Sequence, residues 1–327
     1  MSYENELAVA LAAVCQASAV CRSVQSKIDA AALEKKDRSP VTVADFASQA
    51  VVCRELQAAF PVDPVIGEED AAQLKESGNS QFMDRVQSEL AAVGIKSSRD
   101  EICGWIDRGS AKDYSPRFWT IDPIDGTKGF LRSEQYAVAL ALIVNGQIDV
   151  ALLGCPNLPV EDWSDAVGVI CYAIRGEGSY VLPMDDDSAE PQRVTVSSNA
   201  DPATARFCES VESGHTSHNH SAMISKRLGI AADAVRLDSQ AKYAVVGRGQ
   251  AEIYMRLPTR PGYQEKIWDH AGGVLFVEEA GGRVTDIHGK PLEFNHGFEL
   301  KANRGVIATN GPLHDALLKM LPEVGVE

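Results

Sequence analysis

Apolar positions near the start of the chain recur at helical spacing. Leu7, Ala10, Leu11, Val14, Ala17 and Cys21 form one stripe. The spacing predicts an amphipathic helix from Tyr3 to about Ala32, its apolar face covering a sheet. A charged loop, Glu34–Pro40, follows, and the run from Val41 predicts a second helix to about Phe60. Pro61–Ile66 reads as a short strand ending in Gly67-Glu68-Glu69-Asp70. Residues 71–117 are polar, with helices expected near Gln81–Val93 and Asp100–Asp107 and a mobile loop around Arg108–Ser115. Phe118–Ile121 predicts a strand that stops at Pro123, which cannot donate to a ladder. Four more strands are expected at Tyr136–Val144, Gln147–Gly154, Val167–Arg175 and Ser179–Leu182. Asn145-Gly146 is a strong hairpin signal between the first two.

Met184–Pro191 is a polar, acidic break, and beyond it the pattern changes. Short β runs (Arg193–Val196, Ala234–Leu237, Glu252–Met255, Arg283–Thr285, Val306–Thr309) alternate with helices near 218–229, 240–248, 266–280 and 311–321. The expected architecture is therefore two-part. An α+β domain with an antiparallel meander (residues 1–190) precedes a mixed or parallel α/β domain (residues 191–327).

The 327 residues are 45% apolar, enough for a substantial core, and the formal net charge is −15. That charge argues against nucleic-acid duplexes and anionic membranes as partners. It leaves room for a small polyanion received by metal ions or a local basic pocket. Seven cysteines form no CxxC pair, which suggests a reducing compartment. Cys155 and Cys171 fall on neighbouring predicted strands, so a reversible disulfide competes with plain burial, the commoner outcome. The apolar run Tyr136–Val144 is far short of the ~20 residues that span a bilayer. The acidic N-terminus lacks signal or transit character. A cytoplasmic monomer is the expectation, or an organellar one if a transit peptide has been trimmed.

The candidate chemistry lies at element ends. In Asp122-Pro123-Ile124-Asp125-Gly126-Thr127 two carboxylates flank a chain break, followed by a glycine and a hydroxyl. Such a turn serves either local hydrogen bonds or a hard cation with oxygen ligands. Thr42 and Asp45 have capping-box spacing, so a helix cap is the simple reading of Asp45. Asp269 falls near another expected N-cap, and the small residues 271–273 favour an end that faces a ligand. Ser239 and Lys242 share one helical face and form either a phosphate seat or a cap beside a surface lysine. His218 lies in a Ser- and His-rich stretch with His215 and His220 as competitors, and Arg256 ends a strand where it can pair with phosphate. Considered together, Asp45, Glu68, Asp122, Asp125 and Asp269 all sit next to small residues. Clustered, they would repel one another unless cations were present. Two or three Mg2+ ions spaced by roughly 4 Å would neutralise the set and suit hydrolysis of a phosphate ester.

With these stretches in view, the chain resembles the magnesium-dependent, lithium-sensitive phosphomonoesterase superfamily that includes inositol monophosphatase and fructose bisphosphatase. The resemblance rests on Gly67-Glu68-Glu69, Asp122–Thr127 and Trp268–Gly273, in order over more than 200 residues. Ser39–Asp45, Asp125–Arg132, Asp238–Tyr243 and Glu265–His270 are more similar to the 3'(2'),5'-bisphosphate nucleotidase branch. The resemblance implies a layered αβαβα sandwich. It implies metal ligation by Glu68, Asp122, the Ile124 carbonyl, Asp125 and Asp269, with Asp45 and Thr127 activating the nucleophilic water. It further implies that His218, Ser239, Lys242 and Arg256 hold a nucleotide and its 5'-phosphate. Ala47 and Gly272 depart from the family pattern, small for small. The implied reaction is removal of the 3'-phosphate of adenosine 3',5'-bisphosphate, and perhaps of 3'-phosphoadenylyl sulfate. An inositol phosphate substrate and a nucleotide sensor without turnover are the alternatives.

Overall fold

Small residues set the spacing of the first layer. Helix α1 (Glu4–Gln25) buries Ala10, Ala13, Val14, Ala17, Val20, Cys21 and Val24. It packs on α2 (Ser39–Ala59), which buries Ala44, Ala47 and Ala50 at the same interface layer. The computed structural model describes residues 3–28, 39–76, 80–160, 166–186, 188–211, 218–258, 260 and 262–326. The expected extension of α1 to Ala32 falls partly outside these residues. α1 is long and apolar enough to cross a membrane by composition, and its buried stripe is spent against α2 and the first sheet.

The chain continues through β1 (Val65–Gly67), α3 (Ala72–Lys75), α4 (Ser80–Ala92), α5 (Arg99–Asp107), β2 (Arg117–Asp125) and α6 (Thr127–Leu131). Then come β3 (Ala137–Val144), β4 (Gln147–Pro159), β5 (Val167–Ile174), β6 (Gly178–Pro183) and β7 (Gln192–Val194). These seven strands form one sheet in sequence order. β1 runs parallel to β2, and the other pairs are antiparallel. The sheet is buried on both faces. Along β3, Val138, Leu140 and Leu142 meet the α1–α2 layer, while Ala137, Ala139, Ala141 and Ile143 meet the opposite layer. The alanine stripe lets helices on that side approach closely.

The opposite layer is α8 (Ala241–Gly247) and α9 (Ala271–Glu279). Beneath it lies a second sheet of β8 (Phe207–Glu209), β9 (Val235–Arg236), β10 (Ile253–Arg256), β11 (Arg283–Thr285) and β12 (Val306–Thr309), in the order β11-β12-β10-β8-β9. Its β8–β9 and β8–β10 pairs are parallel and the others antiparallel, so the sheet is mixed. A last layer holds α7 (His218–Leu228) and α10 (His314–Met320). The result is the expected αβαβα sandwich.

Several local expectations need correction. β2 does not stop at Pro123 but runs on to Asp125, absorbing the proline in a register shift between Asp122 and Asp125. A bulge leaves an unpaired position, where a missing N–H costs nothing. Asp45 is no cap, since α2 begins at Ser39 and Asp45 lies inside the helix. The Arg108–Ser115 loop is anchored at its start, with Arg108 donating to the Phe60 and Asp63 carbonyls and Gly67 N–H donating to Gly109. The first sheet extends past residue 190 through the pairing of β7 with β6. Cys155 and Cys171 are buried free thiols on adjacent strands, but Cys155 faces Val169 and Cys171 faces Leu153. A diagonal pair of this kind sits too far apart for a disulfide without backbone movement.

His314 is fully buried between two hydroxyls, with Thr285 Oγ1 and Thr309 Oγ1 each 2.9 Å from a ring nitrogen. Burial first, then the Arg283 charge, hold its pKa at about 4 against an ordinary 6.5. The unfolded chain therefore takes up the proton first, and stability falls as pH drops from 6.5 towards 4. In urea unfolding, His314 alone should contribute a loss of up to about 3 kcal/mol across that window, read as the difference between wild type and His314→Gln. The loss should be largely absent from His314→Gln, and an equal loss in the variant would rule the residue out.

Candidate active site

The site begins with α2, whose one face carries Asp45, Ser48 and Gln49. Ser48 Oγ donates to the Pro123 carbonyl at 2.9 Å and so fixes the β2 bulge. Gln49 Nε2 donates to the Glu69 carbonyl at 2.6 Å, and Gln49 Oε1 accepts from Glu69 N–H at 3.1 Å. One helix thus holds both acidic segments beside Asp45. Gly67 is required by this packing, because a Cβ there would stand 2.7 Å from Gln49 Oε1.

In the bulge, Asp122 Oδ1 accepts from Ile124 N–H at 3.1 Å, which is the local turn bond. The turn and the cation readings of this stretch are therefore compatible, since the carboxylate keeps further lone pairs. Gly126 has φ 91°, a left-handed conformation that starts α6 and leaves Thr127 exposed at its head. A Cβ on Gly126 would lie 2.8 Å from Ser239 Cβ. The Asp122–Thr127 turn and the Asp238–Tyr243 junction are thus in contact. Ser239 itself has φ 72°, a strained value for a non-glycine. Its Oγ accepts from Ala241 N–H at 3.1 Å.

Gln240 ties this junction to the rest. Its N–H donates to Asp125 Oδ2 at 2.6 Å, its Nε2 to the Trp268 carbonyl at 2.8 Å, and its Oε1 accepts from Gly273 N–H at 3.2 Å. Asp269 closes the 3-10 turn Ile267–Asp269, one residue before the α9 N-cap position, and no side chain caps that end. The capping reading of Asp269 therefore fails. The small residues 271–273 are all buried and serve packing, not a ligand. A Cβ on Gly272 would meet Leu153 at 2.8 Å, and one on Gly273 would meet the Tyr243 ring at 2.2 Å.

The five acids converge electrostatically. Asp122 is 2% exposed and Asp45 7% exposed. Burial, then the charges of Glu68, Asp125, Asp269 and Asp45, push the Asp122 carboxyl well above its ordinary range. Burial, then Glu69 and Glu68, do the same for Asp45. Glu68 is open to the cleft on one side. Withdrawal from water on its others, then the charges of Asp269, Glu69 and Asp125, still raise it to about 8, offset in part by a hydrogen bond with Asp122. Two carboxyls in such a bond share either a proton or, in its place, a cation. An all-oxygen donor set of this kind fits Mg2+.

The expected phosphate contacts are placed differently. Lys242 is 4% exposed, and its Nζ donates to the carbonyls of Ser239 at 2.7 Å and Leu237 at 3.3 Å, over the Tyr254 ring. Burial lowers its pKa, opposed by the charge of Asp125. It is no surface lysine, and in this conformation it supports the loop that carries Ser239. Arg256 pairs with Asp269 at 2.9 Å and Glu265 at 2.8 Å. His218 opens α7, but its side chain, and residues 212–217 including His215, lie outside the described residues. Ser48, Gln49, Gln240 and Glu265 hold the segments of this site in place, and the sequence reading did not single them out. Only Gln240 and Glu265 carried a signal, as members of the stretches noted for their resemblance.

A cluster of carboxylates at a bulge, a strand end and a helix start, on an αβαβα frame, defines a metal-assisted phosphatase class. The sequence matches the inositol monophosphatase family over residues 2–325, and the chain belongs to that family. It is 44% identical to the 3'(2'),5'-bisphosphate nucleotidase of Schizosaccharomyces pombe, over 94% of this chain and 92% of that one. It is 40% identical to the enzyme of the same name from Emericella nidulans, with 99% of both chains covered. The 3',5'-bisphosphate nucleotidase 2 of Arabidopsis thaliana is likewise 40% identical, over 99% of this chain and 96% of that one. Among solved structures, an inositol monophosphatase from Anabaena superposes with a TM-score of 0.64 at 22% identity, covering 100% of this chain and 98% of that one. CysQ from Bacteroides thetaiotaomicron gives a TM-score of 0.59 at 19% identity, over 94% and 97% of the two chains. These last two likenesses speak for the fold.

In excess chelator, Asp122→Asn should be more stable than wild type by on the order of 1 kcal/mol, one pKa unit being about 1.4. The amide oxygen still accepts from Ile124 N–H while a repelled charge is gone. Because the raised carboxyls hold protons longer in the folded state, the acid cluster should contribute a loss of stability to the wild type, relative to Asp122→Asn, as pH rises from the ordinary glutamate value of 4.5 through about 8. The gap between the two proteins should widen over that range, and Mg2+ should reverse their order. Chemical denaturation with EDTA and with Mg2+ checks this. A variant less stable than wild type in EDTA contradicts it.

Proposed function

We propose that the chain is a Mg2+-dependent phosphomonoesterase that converts adenosine 3',5'-bisphosphate and water to AMP and inorganic phosphate, with 3'-phosphoadenylyl sulfate as a second substrate. The observation that carries this reading is the convergence of Glu68, Asp122, Asp125 and Asp269, from the end of β1, the β2 bulge and a 3-10 turn, at one mutually repelling cluster. The near-full-length likeness to the fungal and plant nucleotidases supports the substrate class.

Glu68, Asp122, the Ile124 carbonyl, Asp125 and Asp269 would hold two or three ions. When bound, Mg2+ supplies charge to the phosphoryl oxygens, steadies the leaving 3'-oxygen and acidifies the attacking water. Asp45 would take the water's proton, with the Thr127 hydroxyl orienting it. Burial, then Glu69 and Glu68, raise the Asp45 pKa, which makes it a stronger proton acceptor than an ordinary carboxylate. The P–O bond to the 3'-carbon oxygen breaks as the new P–O bond forms, and the 3'-oxygen leaves as a hydroxyl once protonated. Ser239 would present its hydroxyl to the nucleotide, with Lys242 fixing the loop beneath it. His218 would contribute from the head of α7.

Phosphate release from adenosine 3',5'-bisphosphate should require Mg2+. It should exceed release from inositol 1,4-bisphosphate and inositol 1-phosphate. Asp45→Asn should lower kcat by 10²–10⁴-fold, the usual span for a lost general base, with AMP affinity in calorimetry nearly unchanged. Full turnover by Asp45→Asn, or equal rates on the inositol phosphates, would refute the assignment of base or of substrate respectively.

A further inference from the structure

Arg256 stands at the end of β10 with a half-fixed, half-exchangeable set of partners. Its Nε bonds Glu265 Oε2 at 2.8 Å. Glu265 is 6% exposed, and the same Oε2 lies 3.2 Å from His270 Nε2. The fully buried His270 places Nδ1 2.7 Å from the hydroxyl of Tyr243, also fully buried. One assignment satisfies the row: the tyrosine hydroxyl donates to Nδ1, and Nε2–H donates to the carboxylate. This side of the guanidinium is anchored in the packing between α8 and α9. On its other side, Nη2 donates to Asp269 Oδ2 at 2.9 Å, and the Asp269 side chain is 15% exposed against 7% for Glu265.

Glu265, Asp269 and His270 offer ligand atoms within 4.8 Å of one another, but the guanidinium already bridges the two carboxylates. We propose that Arg256 is the chain's own stand-in for a cation on Asp269, and that metal capture by Asp269 hands Nη2 to the phosphate of the bound nucleotide. The proposal rests on the reading of the site as a metal-assisted nucleotide phosphatase. The proposal puts the ion on Oδ2, the oxygen that Nη2 holds, and a second positive charge on that oxygen displaces the guanidinium. Glu265 keeps the arginine in place, beside the Tyr263 hydroxyl that it also bonds, so the guanidinium loses a charged acceptor in a largely buried site, which is costly. A phosphate oxygen replaces that acceptor. Metal and nucleotide therefore bind with positive coupling, and each tightens the other by the same factor.

Isothermal titration of the full chain with Mg2+, alone and with saturating AMP, tests this without any variant. AMP is the probe because it lacks the scissile phosphate that would bridge to the metals directly. The expected result is Mg2+ binding at least about five-fold tighter with AMP present, and AMP tighter by the same factor with Mg2+ present. Arg256→Gln should bind Mg2+ several-fold more tightly than wild type in the absence of nucleotide, bind AMP more weakly, and show no coupling. Arg256→Lys keeps the charge but not the fork, and should shift both affinities in the same directions by less. Independent binding of Mg2+ and AMP by the wild type overturns the hand-over alone. Weaker Mg2+ binding by a folded Arg256→Gln, with an unchanged thermal midpoint, does so too, because it makes Arg256 a support for Asp269. No binding of either probe by the wild type removes the phosphatase reading and this proposal with it.

Discussion

Like charges brought together against their repulsion are the constraint on which the rest of the structure depends. Asp45, Glu68, Asp122, Asp125 and Asp269 come from a helix, the end of β1, the two sides of a bulge and a 3-10 turn. Apart from the Arg256–Asp269 pair, the electrostatics among these acids oppose convergence without ions. What holds them is a frame of uncharged side chains whose bonds leave them little freedom. Ser48 fixes the bulge, Gln49 fixes the Glu68-Glu69 segment, and Gln240 fixes Asp125 together with the approach to α9. Each is a buried amide or hydroxyl bonded to backbone, the kind of contact that loses most when one partner is removed.

The layers supply the stiffness this frame needs. The first sheet is covered on both faces, so its strands read as continuous apolar runs despite being antiparallel. Alanines on one face of β3, with Gly272 and Gly273 on α9, bring that helix down onto the sheet. The position of Asp269 then follows from close packing. A cluster built on such a base cannot relax by drifting apart, and the repulsion remains as raised carboxyl pKa values and not as disorder.

Much of this was legible in the sequence. The period of the apolar positions gave the helices, the meander and the change to alternating elements near residue 190, because periodicity reports which face is buried. The acids were found because each was expected at an element end near small residues or proline, although Asp45 in fact lies inside α2. What the sequence hid were partners. Asp45 and Asp269 sit in capping patterns, and local spacing cannot tell a cap from a charge aimed across the molecule. Lys242 and Arg256 looked like surface cations because nothing nearby in sequence shows that Leu237 and Ser239 carbonyls, or Glu265 and Asp269, receive them. β8 was missed because three residues, Phe207–Glu209, are too few to show a period.

The two halves of the cluster are held in different ways, and this difference orders the site. Asp45, Glu68 and Asp122 are fixed by α2 and the bulge through neutral groups, and among the described residues no cation is paired with them. Asp269 instead meets a guanidinium, itself braced by Glu265, His270 and Tyr243. A carboxylate with no cationic partner takes an ion at the cost of desolvating that ion alone. One already paired must also give up a charge-assisted bond. The α2 side is therefore the natural first point of capture, and the Asp269 side is where occupancy depends on what else is present. Placing a braced arginine there, beside the junction that carries Ser239 and Lys242, puts the conditional ligand next to the end of the cleft where a nucleotide phosphate would lie.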